Sequence, residues 1–299
     1  MAAALRSRRQ HRELQLGIGE ITTVIASRDP ELEITVPDAV GRFLTADDPC
    51  DITIHAQWSD GETPAHGRLL FDSGGLWQLR EAGGRLTWSF TSPIFGVTPY
   101  KTAVFERDFS AGEVFIHRPY FDVSAPIYPL EYPLDELVIT NWLSLGRGIE
   151  IHACAVRDAD GAGYLFAGHS GAGKTTTARL WQDLPGVTVL SDDRVILRRS
   201  GGQIWMYGTP WHGDEPLASP SRVPLTRGFI LRHADRNELV DLKGGDAIAK
   251  LLACSFPPFF SANALDFSLS FLNDVAQHAP FADFGFVPDH RLPAFVRQL

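Results

Sequence analysis

Cysteine is scarce in this chain of 299 residues, which contains only Cys50, Cys154 and Cys254. An odd, widely spaced set of cysteines provides neither the close pairs of a zinc site nor a disulfide framework, and it is typical of reduced cytosolic proteins. We therefore expect a cytoplasmic protein. Cys154 lies two residues after His152, and we interpret it as a small buried residue of a strand rather than as a metal ligand.

Basic residues are also few relative to acidic ones, because 27 Lys and Arg face 36 Asp and Glu and the formal net charge is -9. Non-specific binding to nucleic acid requires a basic face, and an acidic surface is unfavourable at anionic membranes. Apolar runs are short as well, and none approaches the roughly 20 residues of a membrane helix. We expect neither nucleic acid nor a membrane as a partner.

The first part of the chain is typical of β-structure. Residues 1–18 begin with the basic stretch MAAALRSRRQHR, which no long apolar segment follows, so we expect a flexible tail rather than a secretory signal. From 19 to 132, short β-branched or aromatic runs alternate with turn residues and predict a mainly antiparallel β domain without a chemical constellation. The predicted strands are Glu20–Ala26, Glu31–Val36, Asp51–Gln57, Gly67–Phe71, Leu76–Leu79, Arg85–Phe90, Lys101–Phe109 and Glu113–His117.

Residues 133–299 mix the two periodicities and predict an α/β domain. Helical spacing is found at Leu134–Leu145, Asp246–Ala253 and Ala262–His278, and Ser261 is a suitable N-cap for the last of these. Predicted strands are Leu165–Ala167, Val187–Leu190, Arg194–Arg198, Ile204–Tyr207, Gly228–Arg232, Glu238–Leu242 and Phe284–Val287.

The most specific chemical signal is a glycine loop, GHSGAGKT at residues 168–175, which satisfies G-x-x-x-x-G-K-[ST]. An apolar run precedes it and a helix-forming stretch, Thr176–Trp181, follows it, as a phosphate-binding loop requires. Glycines let successive amides point inward at phosphate oxygens, and the helix adds its positive end. Lys174 would reach the outer phosphates and the Thr175 hydroxyl would bind Mg²⁺. The predicted nucleotide-binding residues are Gly168, His169, Ser170, Gly171, Ala172, Gly173, Lys174, Thr175 and Thr176.

An acid pair, Asp192 and Asp193, closes the next apolar run. At the carboxyl end of a strand in an α/β sheet, one carboxylate can bind the metal and the other can face the nucleophile. Only one helix and one tight turn fit between Lys174 and Asp192, so we expect the loop strand and the acid-pair strand to lie side by side.

These features resemble the HPr kinase/phosphorylase family. The matching stretches are IHACAV (151–156), YLFAGHSGAGKTTTA (164–178), VLSDD (189–193), YGTPWHGD (207–214) and FADFGFVPD (281–289). The histidine, glycine loop and acid pair are also similar to ATP-dependent phosphoenolpyruvate carboxykinase, a distant relative of that family. The resemblance implies an α/β P-loop kinase core with a mixed sheet, ATP and Mg²⁺ as cofactors, and assembly into rings of subunits.

The resemblance also implies individual roles. Lys174 and the loop amides would hold the phosphates, and Thr175 and Asp193 would hold the metal. Asp192 would be the base for the acceptor hydroxyl, with His152 close to it. The Glu-Ile-Arg-Gly signature that HPr kinases carry after the acid pair does not occur in this sequence.

Three functions remain open from the sequence. The first is an ATP-dependent kinase acting on a serine-type hydroxyl of a protein, precursor peptide or small molecule. The second is a carboxykinase-type reaction on an organic acid, and the third is a non-catalytic ATP-binding regulator. We predict a mobile loop at Thr209–Pro220, from which His212 and Asp214 could contact the acceptor. Charge on the transferred phosphoryl group could be neutralised by an arginine, for which the candidates are Arg194, Arg222 and Arg227.

Overall fold

The computed structural model describes residues 11–46, 48–61 and 66–299. The chain divides into two compact units, Met1–Trp142 and Leu143–Leu299. We expected the domain boundary at 132/133, but the predicted helix that follows this point is grouped with the first unit. That helix is α2, Leu134–Leu143, and it ends two residues earlier than predicted.

Within the described residues, the first unit contains a nine-stranded sheet in the order β3-β1-β2-β4-β9-β8-β7-β6-β5. One face of this sheet is buried, as β4 shows most clearly. Buried and half-buried residues alternate along β4 with the period of two expected of a strand. The strands are β1 (Glu13–Ile18), β2 (Ile21–Ser27), β3 (Leu44–Thr45), β4 (Ile52–Ser59), β5 (Arg68–Asp72), β6 (Trp77–Ala82), β7 (Arg85–Ser92), β8 (Gly96–Phe105) and β9 (Ala111–His117). A short helix, α1 (Asp38–Gly41), follows β2, and the turn Arg118–Tyr120 follows β9.

Three expectations for the first unit were wrong. The predicted tail 1–18 is not unstructured at its end, because β1 pairs with β2 and buries alternate residues; residues 1–10 lie outside the described part of the chain. The run Glu31–Val36 forms isolated bridges at Ile34 instead of a strand. The strand predicted to reach Phe109 ends at Phe105, since a turn with positive φ at Phe109 follows.

The first sheet is mostly antiparallel, as predicted, but it is not purely so. The β2–β4 and β4–β9 pairs are parallel. Sequence pattern alone does not reveal this, because α1 and β3 carry the chain away between β2 and β4 and a long antiparallel meander separates β4 from β9.

The second unit, within the described residues, has a nine-stranded mixed sheet in the order β15-β14-β13-β10-β11-β16-β18-β17, with β12 also paired to β10. The strands are β10 (Ile149–Arg157), β11 (Gly163–Ala167), β12 (Thr188–Ser191), β13 (Arg194–Ser200), β14 (Gln203–Gly208), β15 (Arg222–Pro224), β16 (Arg227–His233), β17 (Glu238–Leu242) and β18 (Phe281–Phe286). The helices are α3 (Lys174–Gln182), α4 (Gly245–Ala253), α5 (Ala262–His278) and α6 (Leu292–Val296).

Helices cover both faces of this second sheet. Residues of α4 and α5, such as Leu251 and Leu272, pack in one cluster with alternate residues of β10. Trp181 of α3 and Leu292 of α6 pack in a second cluster with Phe229. The unit is therefore a mixed α/β structure with two cores, one on each side of the sheet.

The expected neighbourhood of β11 and β12 was wrong. β10 lies between them and pairs antiparallel with both. Helix α3 still bridges the short interval between Lys174 and Asp192, but β10, which precedes the loop in the sequence, lies between the two strands that we expected to be adjacent. None of the helices in the described ranges combines the length and the apolar character that a membrane span requires.

Candidate active site

The glycine loop connects the end of β11 to the start of α3, as the sequence predicts. Gly173, the residue before the helix, has a φ of 104°, and a Cβ built on it would lie 2.3 Å from the Phe286 ring. Gly171 also has positive φ, at 79°. The loop conformation therefore depends on glycine at both positions, and at Gly173 also for space.

Lys174 folds back across the loop. Its Nζ donates to the carbonyl oxygens of Gly168 and His169, both at 3.0 Å. Burial lowers the pKa of Lys174 from its ordinary value, while the nearby Asp193 acts in the opposite direction. Helix α3 has no side-chain cap at Gly173, so its first amides remain available to an anion.

The two members of the acid pair have different partners. Asp192 is fully buried, and its Oδ2 accepts a hydrogen bond of 3.1 Å from the Thr175 hydroxyl. Its Oδ1 accepts a hydrogen bond of 2.9 Å from the amide of Gly213. Thr175 thus contacts Asp192, whereas the roles implied by the resemblance pair Thr175 with Asp193.

Asp193 is bound by two side chains. Its Oδ1 lies 2.8 Å from Nε2 of His152, and Nη1 of Arg194 contacts its Oδ2. Burial acts to raise the pKa of Asp193, but the hydrogen bond to His152 and the Arg194 charge outweigh it and hold the pKa below its ordinary value. His152 therefore contacts Asp193, whereas the resemblance implies that it lies close to Asp192.

Strand β10 brings the loop and the acid pair together. The carbonyl oxygen of His152 accepts from the amide of Gly168 at 3.4 Å, and the amide of Ala153 donates to the carbonyl of Asp193 at 3.0 Å. Cys154 follows on the same strand as a free, buried thiol, and burial raises its pKa far above the ordinary value. Its burial agrees with the packing role that we expected.

Two functional neighbours were missed by sequence reasoning. Glu150 lies two residues before His152, is buried, and has its Oε1 3.2 Å from Nε of Arg194. The ring centroid of Phe256 lies 4.3 Å from the Arg194 guanidinium and 6.0 Å from the His152 ring. A charged residue inside the apolar run of β10 was the available signal for Glu150. Phe256 belongs to the stretch FPPFF at 256–260, whose sequence carries no sign of a place in the site.

The predicted loop Thr209–Pro220 is attached to the acid-pair region at several points. The Thr209 hydroxyl donates to the carbonyl of Arg194 at 2.8 Å, and the Ser219 amide donates to the carbonyl of Leu190 at 2.9 Å. Its contact with Asp192 comes from the Gly213 backbone, not from the side chains that we singled out. The acceptor contacts of His212 and Asp214, both exposed, remain a prediction.

Of the three candidate arginines, Arg194 contacts the acid pair through Asp193. Arg222 stacks over Trp205 at 4.3 Å. Arg227 begins β16 beside Tyr164, at the end of β11 opposite the glycine loop.

The residues present fit a nucleotide-bound Mg²⁺. Among the described residues, no group of three or more His, Cys, Asp and Glu is arranged to hold a metal ion. Mg²⁺ bound with nucleotides takes few protein ligands and uses water and phosphate oxygens for the rest, so a hydroxyl and one carboxylate suffice. Thr175 and Asp192, in contact beside the glycine loop, would supply that pair.

Comparisons with known proteins give partial likenesses. No family model matches the chain. A glutamate 5-kinase from Alcanivorax borkumensis is 34% identical over 79 residues, which are 26% of this chain and 21% of that protein, so the chain spans about a fifth of its length. The HPr(Ser) kinase/phosphatase structure from Coxiella burnetii aligns over 50% of this chain and 87% of its own, with 13% identity and a TM-score of 0.28. The chain is thus similar in part to two kinases.

Proposed function

We propose that this chain is an ATP-dependent kinase that transfers the γ-phosphoryl group to a serine-type hydroxyl of a protein, peptide or small molecule. The observation that supports the proposal is the contact between the Thr175 hydroxyl and the buried Asp192, next to a glycine loop that begins a helix. This combination would provide a phosphate cradle and a hard-metal position in one place.

The loop would bind the triphosphate through its amides and Lys174. The Lys174 amine now bonds two loop carbonyls, which phosphate oxygens would replace as partners. Such contacts stabilise charge on the transferred group, which is the main contribution of the protein to phosphoryl transfer.

Thr175 and Asp192 would hold Mg²⁺, with the metal neutralising charge on the phosphate oxygens when it is bound. This assignment exchanges the roles of the two aspartates implied by the resemblance. The exchange is favoured because Asp192 is the carboxylate within hydrogen-bond distance of Thr175.

Asp193 would accept the proton of the acceptor hydroxyl while the oxygen forms its bond to phosphorus and the bond to ADP breaks. Asp193 is partly exposed and oriented by His152 and Arg194, whereas Asp192 is fully buried. Its lowered pKa keeps it ionised, so it can orient the hydroxyl and take up the proton late in transfer.

The acceptor class belongs to the same proposal. A carrier protein, a precursor peptide and a small metabolite all offer a suitable hydroxyl. A cytoplasmic location, assembly with like subunits and the lack of nucleic-acid or membrane partners remain predictions from the sequence.

The test is transfer of label from [γ-³²P]ATP to candidate acceptors by purified protein. Label on a serine-type hydroxyl supports the proposal. Oxaloacetate-dependent release of CO₂ would favour the carboxykinase-type reaction instead, and tight ATP binding without transfer would favour a regulator. Lys174→Ala should reduce turnover by about 100-fold or more through loss of phosphate contacts.

Two further variants separate the aspartates. Asp192→Asn should weaken Mg²⁺-dependent ATP binding, whereas Asp193→Asn should bind ATP and Mg²⁺ normally and lose transfer by about 100-fold. Asp241→Asn, at an exposed position on β17, is the charge-matched control. Normal metal dependence in Asp192→Asn together with lost metal dependence in Asp193→Asn would restore the roles implied by the resemblance.

A further inference from the structure

Glu150 is a charged residue at a position where burial is costly. Its side chain is completely shielded from solvent on β10, in the middle of the second sheet. A buried carboxylate requires a charged or hydrogen-bonding partner to offset its desolvation. Arg194 provides it, because Nε of Arg194 lies 3.2 Å from Oε1 of Glu150.

The same guanidinium also contacts the acid pair. Its Nη1 contacts Oδ2 of Asp193, and its face lies over the Phe256 ring at 4.3 Å. Arg194 is therefore restrained by a buried carboxylate and an aromatic ring as well as by Asp193. A planar guanidinium restrained in this way has little rotational freedom left.

His152 completes the arrangement from the same strand as Glu150. The two residues are separated by one position on β10, so their side chains leave the same face of the strand. In the pairing of β10 with β13, His152 is opposite Arg194 and Glu150 is opposite Ile196. Asp193 therefore has one partner on each carboxylate oxygen, His152 on Oδ1 and Arg194 on Oδ2. His152 lies on β10, and Arg194 is paired with Glu150 of the same strand.

The charges determine what Arg194 can do. One guanidinium lies between two carboxylates, so its positive charge is already compensated within the protein. Arg194 is therefore better suited to hold the Asp193 carboxylate in place than to bind an anionic acceptor.

We infer that Glu150 is a positioning residue, which sets the orientation of the Asp193 carboxylate through Arg194. The kinetic part of this inference rests on the proposed role of Asp193 in transfer. The geometric part stands independently, since it concerns only where the Asp193 carboxylate lies.

The decisive variant is Glu150→Gln, which keeps the shape of the side chain and removes its charge. We expect kcat to fall about 10- to 100-fold while KM for ATP changes less than about twofold, because misplacement of a reacting group affects the chemical step. Glu238→Gln is the matched control, because Glu238 forms exposed ion pairs with Arg232 and Arg236.

A double-mutant cycle then tests the route through Arg194. If Glu150 acts through this side chain, Glu150→Gln combined with Arg194→Met should be no slower than Arg194→Met alone. Additive losses, or a Glu150→Gln variant with lowered thermal stability and unchanged kcat, would overturn the inference. Glu150→Met serves in place of Glu150→Gln if the latter does not fold.

Crystal structures of the wild type and Glu150→Gln provide a readout that needs no acceptor. The contact between Arg194 and Asp193 should be present in the wild type and lost or rotated in the variant. An unchanged Asp193 in the variant would overturn the inference even in an active enzyme. If the wild type transfers no phosphoryl group, the proposed function is refuted. If the Glu150→Gln variant nevertheless loses the contact between Arg194 and Asp193, the positioning role of Glu150 remains intact.

Discussion

Gly173 combines a left-handed backbone with close contact to an aromatic ring. A side chain at this residue would be strained by the φ of 104° and would also overlap Phe286. Gly171 has the backbone requirement alone, because a Cβ there would meet nothing within 4 Å. The two glycines therefore separate the effect of backbone strain from that of space.

We predict that Gly173→Ala lowers the free energy of unfolding by about 2–4 kcal/mol and abolishes ATP binding, because the start of α3 must shift. Gly171→Ala should cost only about 1 kcal/mol. Calorimetry with and without ATP measures both effects. Equal losses of stability in the two variants would contradict the contribution of Phe286.

Lys101 is a buried amine in the first unit, with 2% of its surface exposed. Burial lowers its pKa to about 8, against the favourable charges of Glu131 and Asp135. Its Nζ donates to the carbonyl of Glu131 at 3.1 Å. Since the folded state releases this proton more easily than the unfolded state does, stability should rise with pH between about 8 and 10.5.

We therefore predict that Lys101→Met stabilises the protein at pH 7 by about 1–3 kcal/mol and removes the rise in stability at alkaline pH. Urea unfolding at a series of pH values from 7 to 10 measures both effects. Lys243→Met, at an exposed position, is the control. A destabilised Lys101→Met with the alkaline rise intact would show that the charged amine is favourable where it lies.

At the scale of elements, helix α5 begins where the sequence predicts. The Ser261 side chain accepts from the amide of Ala264 at 3.3 Å. Among its 17 residues the helix buries Ala264, Ser268, Phe271, Leu272 and Val275. Both the cap and the apolar spacing are local signals. This is why α5 was predicted with its correct bounds.

We predict that Ser261→Ala lowers the free energy of unfolding by about 1 kcal/mol, because one amide of the first turn loses its acceptor. Ser261→Asp should retain most of the stability, since aspartate is an equally good N-cap. Thermal unfolding followed by circular dichroism measures the difference. A loss of the same size in both variants would show that the cap does not account for the effect.

Elements whose neighbours are distant in sequence were predicted less well. The strands β11 and β12 were predicted correctly as strands, but β10 lies between them because antiparallel partners can be contributed by any part of the chain. The run Glu31–Val36 has β-propensity, yet within the described part of the chain it forms isolated bridges at Ile34. Local pattern predicts the type of an element, and pairing depends on tertiary structure.

At the scale of the whole molecule, an ion pair within the second unit joins two residues that are far apart in the sequence. Arg297, near the C-terminus, donates to both oxygens of Asp158 at 2.8 and 2.7 Å. The hydrogen bond from Arg297 is the main reason why the pKa of Asp158 lies below its ordinary value. A carboxylate with a lowered pKa contributes stability above its unfolded pKa and loses it as pH falls through the folded one.

We predict that Asp158→Asn costs about 1–2 kcal/mol at pH 7, a modest value because the Arg297 side chain is 41% exposed and screened by solvent. The variant should also lose less stability than the wild type as the pH falls below about 4. Unfolding by urea from pH 7 to pH 3 measures both. Asp266→Asn is the control, because Asp266 is an exposed residue of α5. The prediction would be contradicted if Asp158→Asn and the wild type lost the same free energy of unfolding between pH 7 and pH 3.

The sequence indicated which residues make up the candidate site better than it indicated which of them contact one another. The loop and the acid pair follow from a contiguous motif and its flanking elements, because chemistry imposes their spacing. The contacts of Thr175 with Asp192 and of His152 with Asp193 depend on the side-chain directions at a strand end, which adjacent sequence positions do not determine. Glu150 and Phe256 join the site through β10 and the bridge of Ile151 to Ser255, which no local pattern reveals.

Because Glu150 and His152 lie on the same strand, the number of residues between them cannot change without moving one of the two side chains. An insertion of one residue at Ile151 would turn one of the two side chains to the opposite surface of the sheet, where α4 and α5 leave no room for a charge. An insertion of two would keep both on their surface but carry one of them about 7 Å along the strand, out of reach of its partner. Natural relatives with this network should therefore vary in length at the turns that flank β10 and never within it.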